Sequence, residues 1–303
     1  MSESILVVAF PGQGSLSPGI GEPWRGHRVM DAICSLGTDV GVDLPRLLLD
    51  AEEDELTSTR NAQLATFALS LALFEEVAIA APVDIALGHS LGEYTALTSV
   101  GILGRSEALR LVDVRGTAML EAATESPGGL VAMIGGDDDA VAAACEAIPG
   151  LAVANRNGPG QIVLGGSLAV IEEVTQRARE FGFRRAIALK VGGAFHTPLM
   201  DPAATPLAAA LEDAPFHDGV APVIANVDAV AYAGGPAWRS LLARQLRAPV
   251  EWEASVRSLP PGATVVEFGP SGVLVGLIKR IRDDLQLRSV GIPDDLESVK
   301  DLR

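Results

Sequence analysis

Gly88-His89-Ser90-Leu91-Gly92-Glu93-Tyr94 sets a serine between two glycines, with the apolar run Ile85-Ala86-Leu87 before it and the helix-forming Thr95-Ala96-Leu97 after it. Strand, Gly-x-Ser-x-Gly, helix is the pattern of a nucleophile elbow. The glycines permit a turn too tight for side chains, and the serine hydroxyl is pushed out at its apex. The helix that starts just behind leaves free N–H groups aimed at the same point. Such a site can attack a carbonyl and hold the oxyanion that results. The competing reading is a glycine-rich strand-to-helix connection with a solvated serine, so the rest of the chain has to supply the partners.

Outward from the elbow, strand and helix patterns alternate. Residues 5–10 form a short apolar strand ending in the turn Pro11-Gly12-Gln13-Gly14, 61–80 have helical apolar spacing, 84–87 form the strand entering the elbow, and 91–100 and 106–123 read as helices. That alternation predicts an α/β fold with a parallel sheet covered on both faces. After Ser126-Pro127-Gly128-Gly129 the texture changes. Strands at 130–134, 151–154, 161–164 and 185–189, with helices at 137–147 and 167–181, give the order βαββαβ of a ferredoxin-like unit. Patterns of the first kind then resume. The expected organisation is a small ferredoxin-like domain, 127–190, inserted into a larger, discontinuous α/β domain made of 1–126 and 191–303.

The 303 residues are 48% hydrophobic but only 4% aromatic, so aliphatic residues must build the core. No apolar run approaches the ~20 residues needed to span a bilayer. Met1-Ser2-Glu3-Ser4 lacks the basic start of a signal peptide. Cys34 and Cys145 give neither a disulfide framework nor zinc spacing. The expectation is a cytoplasmic protein with no metal. A net charge of −16 argues against nucleic-acid and anionic-membrane partners. Residues 174–190 depart from that field, with Arg177, Arg179, Arg184, Arg185 and Lys190 against Glu180 alone. A second basic run is Lys279, Arg280 and Arg282.

An elbow serine needs a base. Of four histidines, His89 adjoins the serine and is turned away by the elbow, His27 lies in a polar loop, and His217 lies in a surface turn. His196, in the glycine-rich loop Gly192-Gly193-Ala194-Phe195-His196-Thr197-Pro198, is the best candidate.

The chain resembles the malonyl-CoA:acyl-carrier-protein transacylases, a family that includes free-standing acyltransferases of polyketide synthases. The resemblance covers nearly the whole chain. It rests on Phe10-Pro11-Gly12-Gln13-Gly14-Ser15, Gln63, the heptapeptide at 88–94, Arg115-Gly116 with Met119, and Asn155-Arg156-Asn157-Gly158-Pro159-Gly160-Gln161. It continues through Ala194-Phe195-His196-Thr197-Pro198-Leu199-Met200, Asn226-Val227, Arg244-Gln245-Leu246 with Pro249-Val250-Glu251-Trp252, and Glu267-Phe268-Gly269-Pro270. The fold it implies is an α/β-hydrolase-like large domain, 1–126 and 191–303, with an inserted ferredoxin-like small domain, in agreement with the organisation read above.

The resemblance also implies roles. Ser90 is the nucleophile and His196 its base. The backbone carbonyl of Gln245 orients the imidazole, and the N–H groups of Gln13 and Leu91 form the oxyanion hole. Arg115 binds the malonyl carboxylate through a two-pronged match that lysine cannot make. With Asp113 nearby, the competing reading of Arg115 is a helix-surface ion pair. Phe195 narrows the pocket against an α-methyl group, and Gln63 and Asn157 line it. The implied substrates are malonyl-CoA and an acyl carrier protein, docking near Arg184, Arg185 and Lys190, with no cofactor. Three departures stand out: Leu16 for the usual glutamine, Ser271 inserted into Gly-Pro-Gly, and Leu64 where proline is usual. The last, beside the pocket, bears on acyl specificity. The alternatives are transfer of another acyl group such as methylmalonyl, thioesterase action, and a non-catalytic carrier-protein scaffold that uses the basic face alone.

Overall fold

The computed structural model describes residues 5–77 and 81–302, so the last residues of the helix expected over 61–80 lie outside the described residues. β1 (Leu6–Phe10) is buried throughout. Leu6, Val8 and Phe10 pack into one apolar cluster, whereas Val7 and Ala9 pack into another on the opposite face. A strand buried on both faces belongs at the centre of a parallel sheet covered by helices. It pairs in parallel with β2 (Ile85–Gly88) on one side and β9 (Thr264–Phe268) on the other.

The whole sheet runs β10-β9-β1-β2-β7-β8, where β7 is Val223–Ile224, β8 is Ala231–Tyr232 and β10 is Gln286–Val290. Its one antiparallel pair is the edge hairpin of β7 and β8, which the strand–helix alternation did not foretell. The helix Thr59–Val77 is apolar nearly all round because it lies inside the larger cluster, packed against the helix Arg105–Glu125. Gly116 permits that approach, since a Cβ there would sit 2.8 Å from the Arg60 Cα.

The small sheet contains β3 (Gly128–Ile134), β4 (Ala152–Gly158), β5 (Gln161–Ser167) and β6 (Arg185–Ala188), in the order β4-β5-β3-β6 with every pair antiparallel. That is the ferredoxin-like order, with the helices Asp138–Ala147 and Leu168–Arg177 as its connections. The second helix is shorter than its sequence pattern. Gly182, in the left-handed region at φ 91°, closes it with bonds from its own N–H to Arg179 and from the Phe183 N–H to Ala178. β4 extends beyond its apolar core and takes Asn155 and Asn157 onto the strand, which leaves only Pro159 and Gly160 in the turn. It is also tied to the main body, because Val250 donates to the Ala154 carbonyl and accepts from the Arg156 N–H. No described helix is long and apolar enough to cross a membrane.

Candidate active site

β2 ends at Gly88, and the helix Gly92–Ser99 begins four residues later. A Cβ on Gly88 would lie 2.0 Å from the Gly92 carbonyl, and one on Gly92 would lie 2.0 Å from the carbonyl oxygen of Phe10 at the end of β1. Both clashes are with backbone, so neither position accepts a side chain. Gly92→Ala is expected to cost ~3 kcal/mol or more, at the upper end of overpacking effects. Urea denaturation measures this, and a wild-type midpoint would contradict it.

Among the described residues only three non-glycine residues have positive φ, and Ser90 (54°) and His196 (62°) are two of them. Backbone strain of this kind persists where surrounding structure enforces it, and it gathers at functional sites. At the elbow, Ser90 N–H donates to Asn226 Oδ1 at 2.7 Å. Beyond His196, the Thr197 hydroxyl donates to the Ala194 carbonyl and accepts from the Leu199 N–H, fixing the loop.

These two backbones bring Ser90 Oγ within 2.7 Å of His196 Nε2, while His196 Nδ1 lies 2.8 Å from the Gln245 carbonyl oxygen. A carbonyl can only accept, so Nδ1 carries the proton and Nε2 is left as the acceptor facing the serine. Burial pushes the imidazole down to about 3, and the charge of Arg115 adds to this against the pull of the Gln245 carbonyl.

Arg115 is not on the surface. It is completely buried, and Asp113 pairs with Arg60 instead. Its Nη2 donates to Ser90 Oγ at 3.1 Å and to Gln245 Oε1 at 2.9 Å, and its Nη1 donates to Gln63 Oε1 at 2.6 Å. Gln63 therefore does not line the pocket. It is fully buried behind Arg115, with its Nε2 3.3 Å from Met119 Sδ.

Ser90 and His196 open onto a cavity of about 470 Å³ between the two sheets. Gln13, Phe195, Asn157, Lys190 and His89 line it. Leu91 is the first residue behind the serine, at the start of the helix. A second cavity of about 460 Å³ has Asp295 as its one charged lining residue, and that carboxylate already accepts from the Gly291 and Ile292 N–H groups. The serine–histidine pair faces the first cavity and not the second.

Three features escaped the sequence reading. His89 is not simply turned away, because its Nε2 lies 2.9 Å from Asn157 Oδ1 and ties the elbow to β4. Glu93, almost fully buried, accepts from Asn226 N–H at 2.6 Å and from Gln245 Nε2 at 2.7 Å. Burial pushes its carboxyl up to about 8, against the pull of those two donors and of Arg115. Asn226 Nδ2 donates to the Gly88 carbonyl at 2.6 Å, so its amide braces both sides of the elbow. The available signal was polar residues inside otherwise apolar segments. His27, in the loop before the helix Arg28–Val40, caps that helix and packs edge-on against Trp24.

Comparison with known proteins agrees with this geometry. Residues 9–291 match the acyl transferase domain family. The chain is 36% identical over 307 residues to the malonyl CoA-acyl carrier protein transacylase of Escherichia coli K12, covering 98% of this chain and 99% of that one. It is 35% identical to the Bacillus subtilis protein of the same name, covering 97% and 96%. The solved malonyl-CoA:acyl carrier protein transacylase of Xanthomonas oryzae superposes with a TM-score of 0.92 at 36% identity, covering 99% of each chain. A malonyl-transacylase solved in complex with its type II polyketide acyl-carrier protein superposes with a TM-score of 0.92 at 32% identity, covering 99% and 100%. With an elbow serine, a carbonyl-held histidine and a match along nearly its whole length, the chain belongs to the acyl transferase family, among the malonyl-CoA:acyl carrier protein transacylases.

Proposed function

We propose that this protein moves a malonyl group from malonyl-CoA to the phosphopantetheine thiol of an acyl carrier protein, by way of a malonyl ester on Ser90. The observation that carries this reading is a completely buried arginine reaching the same oxygen that faces His196. A malonyl thioester holds its carboxylate one methylene away from the carbonyl to be attacked. A cation beside the nucleophile suits that spacing. Uncharged acyl groups leave the cation unpaired.

His196 Nε2 takes the Ser90 proton as Oγ attacks the thioester carbonyl. The N–H groups of Gln13 and Leu91 hold the oxyanion, a kind of contact worth ~10²–10³ in rate. The intermediate collapses, the C–S bond breaks, and the CoA thiolate leaves with the proton from His196. In the second half His196 deprotonates the carrier thiol, which attacks the ester and releases Ser90. Arg115 turns from Ser90 Oγ toward the malonyl carboxylate, with Gln63 steadying its other nitrogen. Phe195 crowds the α-carbon and disfavours methylmalonyl. The chemistry calls for no cofactor beyond the thioester. The ferredoxin-like unit, 127–190, acts as the second wall of the site. Holo carrier protein incubated with malonyl-CoA and the enzyme is expected to gain a malonyl group; hydrolysis to free malonate, unaffected by added carrier, would favour a thioesterase instead.

The pH profile of kcat/KM reports the free enzyme's base. An imidazole with its ordinary value would titrate between pH 6 and 7, whereas His196, held at about 3, stays neutral throughout that range. No step is therefore expected between pH 6 and 7. A step there that disappears from the residual activity of His196→Ala would contradict the burial argument.

Carrier docking draws on fewer charges than the sequence count suggests. Arg177 pairs with Glu173 and Glu180, and Arg282 pairs with Asp284. Arg184, Arg185 and Lys190 remain as the proposed steering charges for acidic partners. Reversing Arg184 and Arg185 to glutamate should raise KM for carrier protein about tenfold at low salt with little change in kcat, since rim charges act on encounter. An unchanged KM would discard this surface.

A further inference from the structure

The Gln245 side chain has a forced orientation. Arg115 can only donate, so the amide oxygen must face it and the amide nitrogen must face Glu93. That nitrogen donates both to Glu93 Oε2 at 2.7 Å and to the Ser90 carbonyl at 2.8 Å. The same residue's backbone carbonyl is the one that holds His196. The other oxygen of Glu93 accepts from the Asn226 N–H, and the Asn226 amide holds the Ser90 N–H and the Gly88 carbonyl. One carboxyl group thus anchors two segments more than 130 residues away in sequence, one carrying the brace of the nucleophile and the other the brace of the base.

We propose that Glu93 is the positioning residue of this site: its two oxygens lock Asn226 and Gln245, and through them set Ser90 and His196 against each other. The proposal rests on the reading of Ser90 and His196 as nucleophile and base. Glu93 touches no reacting atom itself. Two oxygens are required, with the carboxyl charged or neutral, because both of its neighbours are donors that cannot turn away, one a backbone N–H and the other an amide held by Arg115. A glutamine of the same shape has a single oxygen, so one of the two donors must meet an NH2 group.

The test is the rate at which a fluorophosphonate probe labels Ser90 in wild type, E93Q and E93D. The probe carries no carboxylate and needs only an activated serine. E93Q is expected to label about tenfold more slowly or worse, the loss of one buried hydrogen bond converted to rate. E93D keeps two acceptor oxygens on a shorter stem and leaves the Gln245 nitrogen free to donate to the Ser90 carbonyl. It is expected to label at least about threefold faster than E93Q. Thermal melts establish that each variant is folded, and a role confined to folding would leave the labelling rate of the folded enzyme unchanged. Labelling of folded E93Q within about twofold of wild type, or E93D no faster than E93Q, would overturn the proposal. Should E93Q not fold, E93D decides alone: labelling faster than about a tenth of the wild-type rate supports the proposal, and slower labelling overturns it. Wild type labelled elsewhere than Ser90 would instead sink the reading of the nucleophile.

Discussion

Ser90→Ala is expected to lower malonyl transfer by ~10⁴-fold or more, the scale seen when a nucleophile that works with its base is removed. The reason is geometric. Ser90 Oγ is the one atom that meets His196 Nε2 and Arg115 Nη2 together, at 2.7 and 3.1 Å. Without it the imidazole has nothing to deprotonate, and no acyl-enzyme can form. Folding should be little affected, because the hydroxyl is replaced at a position whose N–H is still held by Asn226. Adding His196→Ala to the variant should produce no further loss, since the two act as a unit. Steady-state transfer measured with single and double variants checks both points. A Ser90→Ala enzyme retaining a tenth of the activity would remove the nucleophile from the account.

Arg115→Ala should have the next largest effect, and one that depends on the acyl group. Taking away one partner of a buried ion pair typically costs about 3–5 kcal/mol. That corresponds to ~10²–10⁴ in kcat/KM for malonyl-CoA. Acetyl-CoA has no carboxylate to pair, so its transfer should fall far less, or rise. In the wild type a buried guanidinium would face an acetyl group with no carboxylate to pair it, so the substitution removes that penalty along with the attraction. Gln63 and Gln245 both lose their arginine donor, and the melting temperature should drop by several degrees. The measurement is the ratio of kcat/KM for the two thioesters. If both fall equally, Arg115 is a structural residue and not the carboxylate contact.

What the sequence showed and what it hid follow from distance along the chain. The elbow could be read locally, because Gly88, Ser90 and Gly92 lie within five residues and the clash of a Cβ on Gly88 with the Gly92 carbonyl is a property of the turn itself. The ferredoxin-like unit could be read because its strands and helices are long enough to show their periods. The edge hairpin could not: β7 and β8 have two residues each, too few to alternate. Glu93 sat in plain view inside the heptapeptide, yet its partners Asn226 and Gln245 lie 133 and 152 residues away. No local pattern announces such a contact. Gln63 was expected to line the pocket but bonds the far side of Arg115, since its place one helix away, and not its residue type, put it behind the guanidinium. The basic cluster was overcounted because ion pairs such as Arg177 with Glu173 cross the window in which charge was summed.

The central claim is that Ser90 carries a malonyl group during turnover. Intact-mass measurement of the enzyme after brief incubation with malonyl-CoA, methylmalonyl-CoA or acetyl-CoA, without carrier protein, tests it directly. The account predicts a mass gain of one malonyl group, mapped to Ser90 by peptide analysis, absent in Ser90→Ala, and discharged when holo carrier protein is added. A gain from methylmalonyl-CoA with none from malonyl-CoA, or a malonyl adduct that survives in Ser90→Ala, would contradict it.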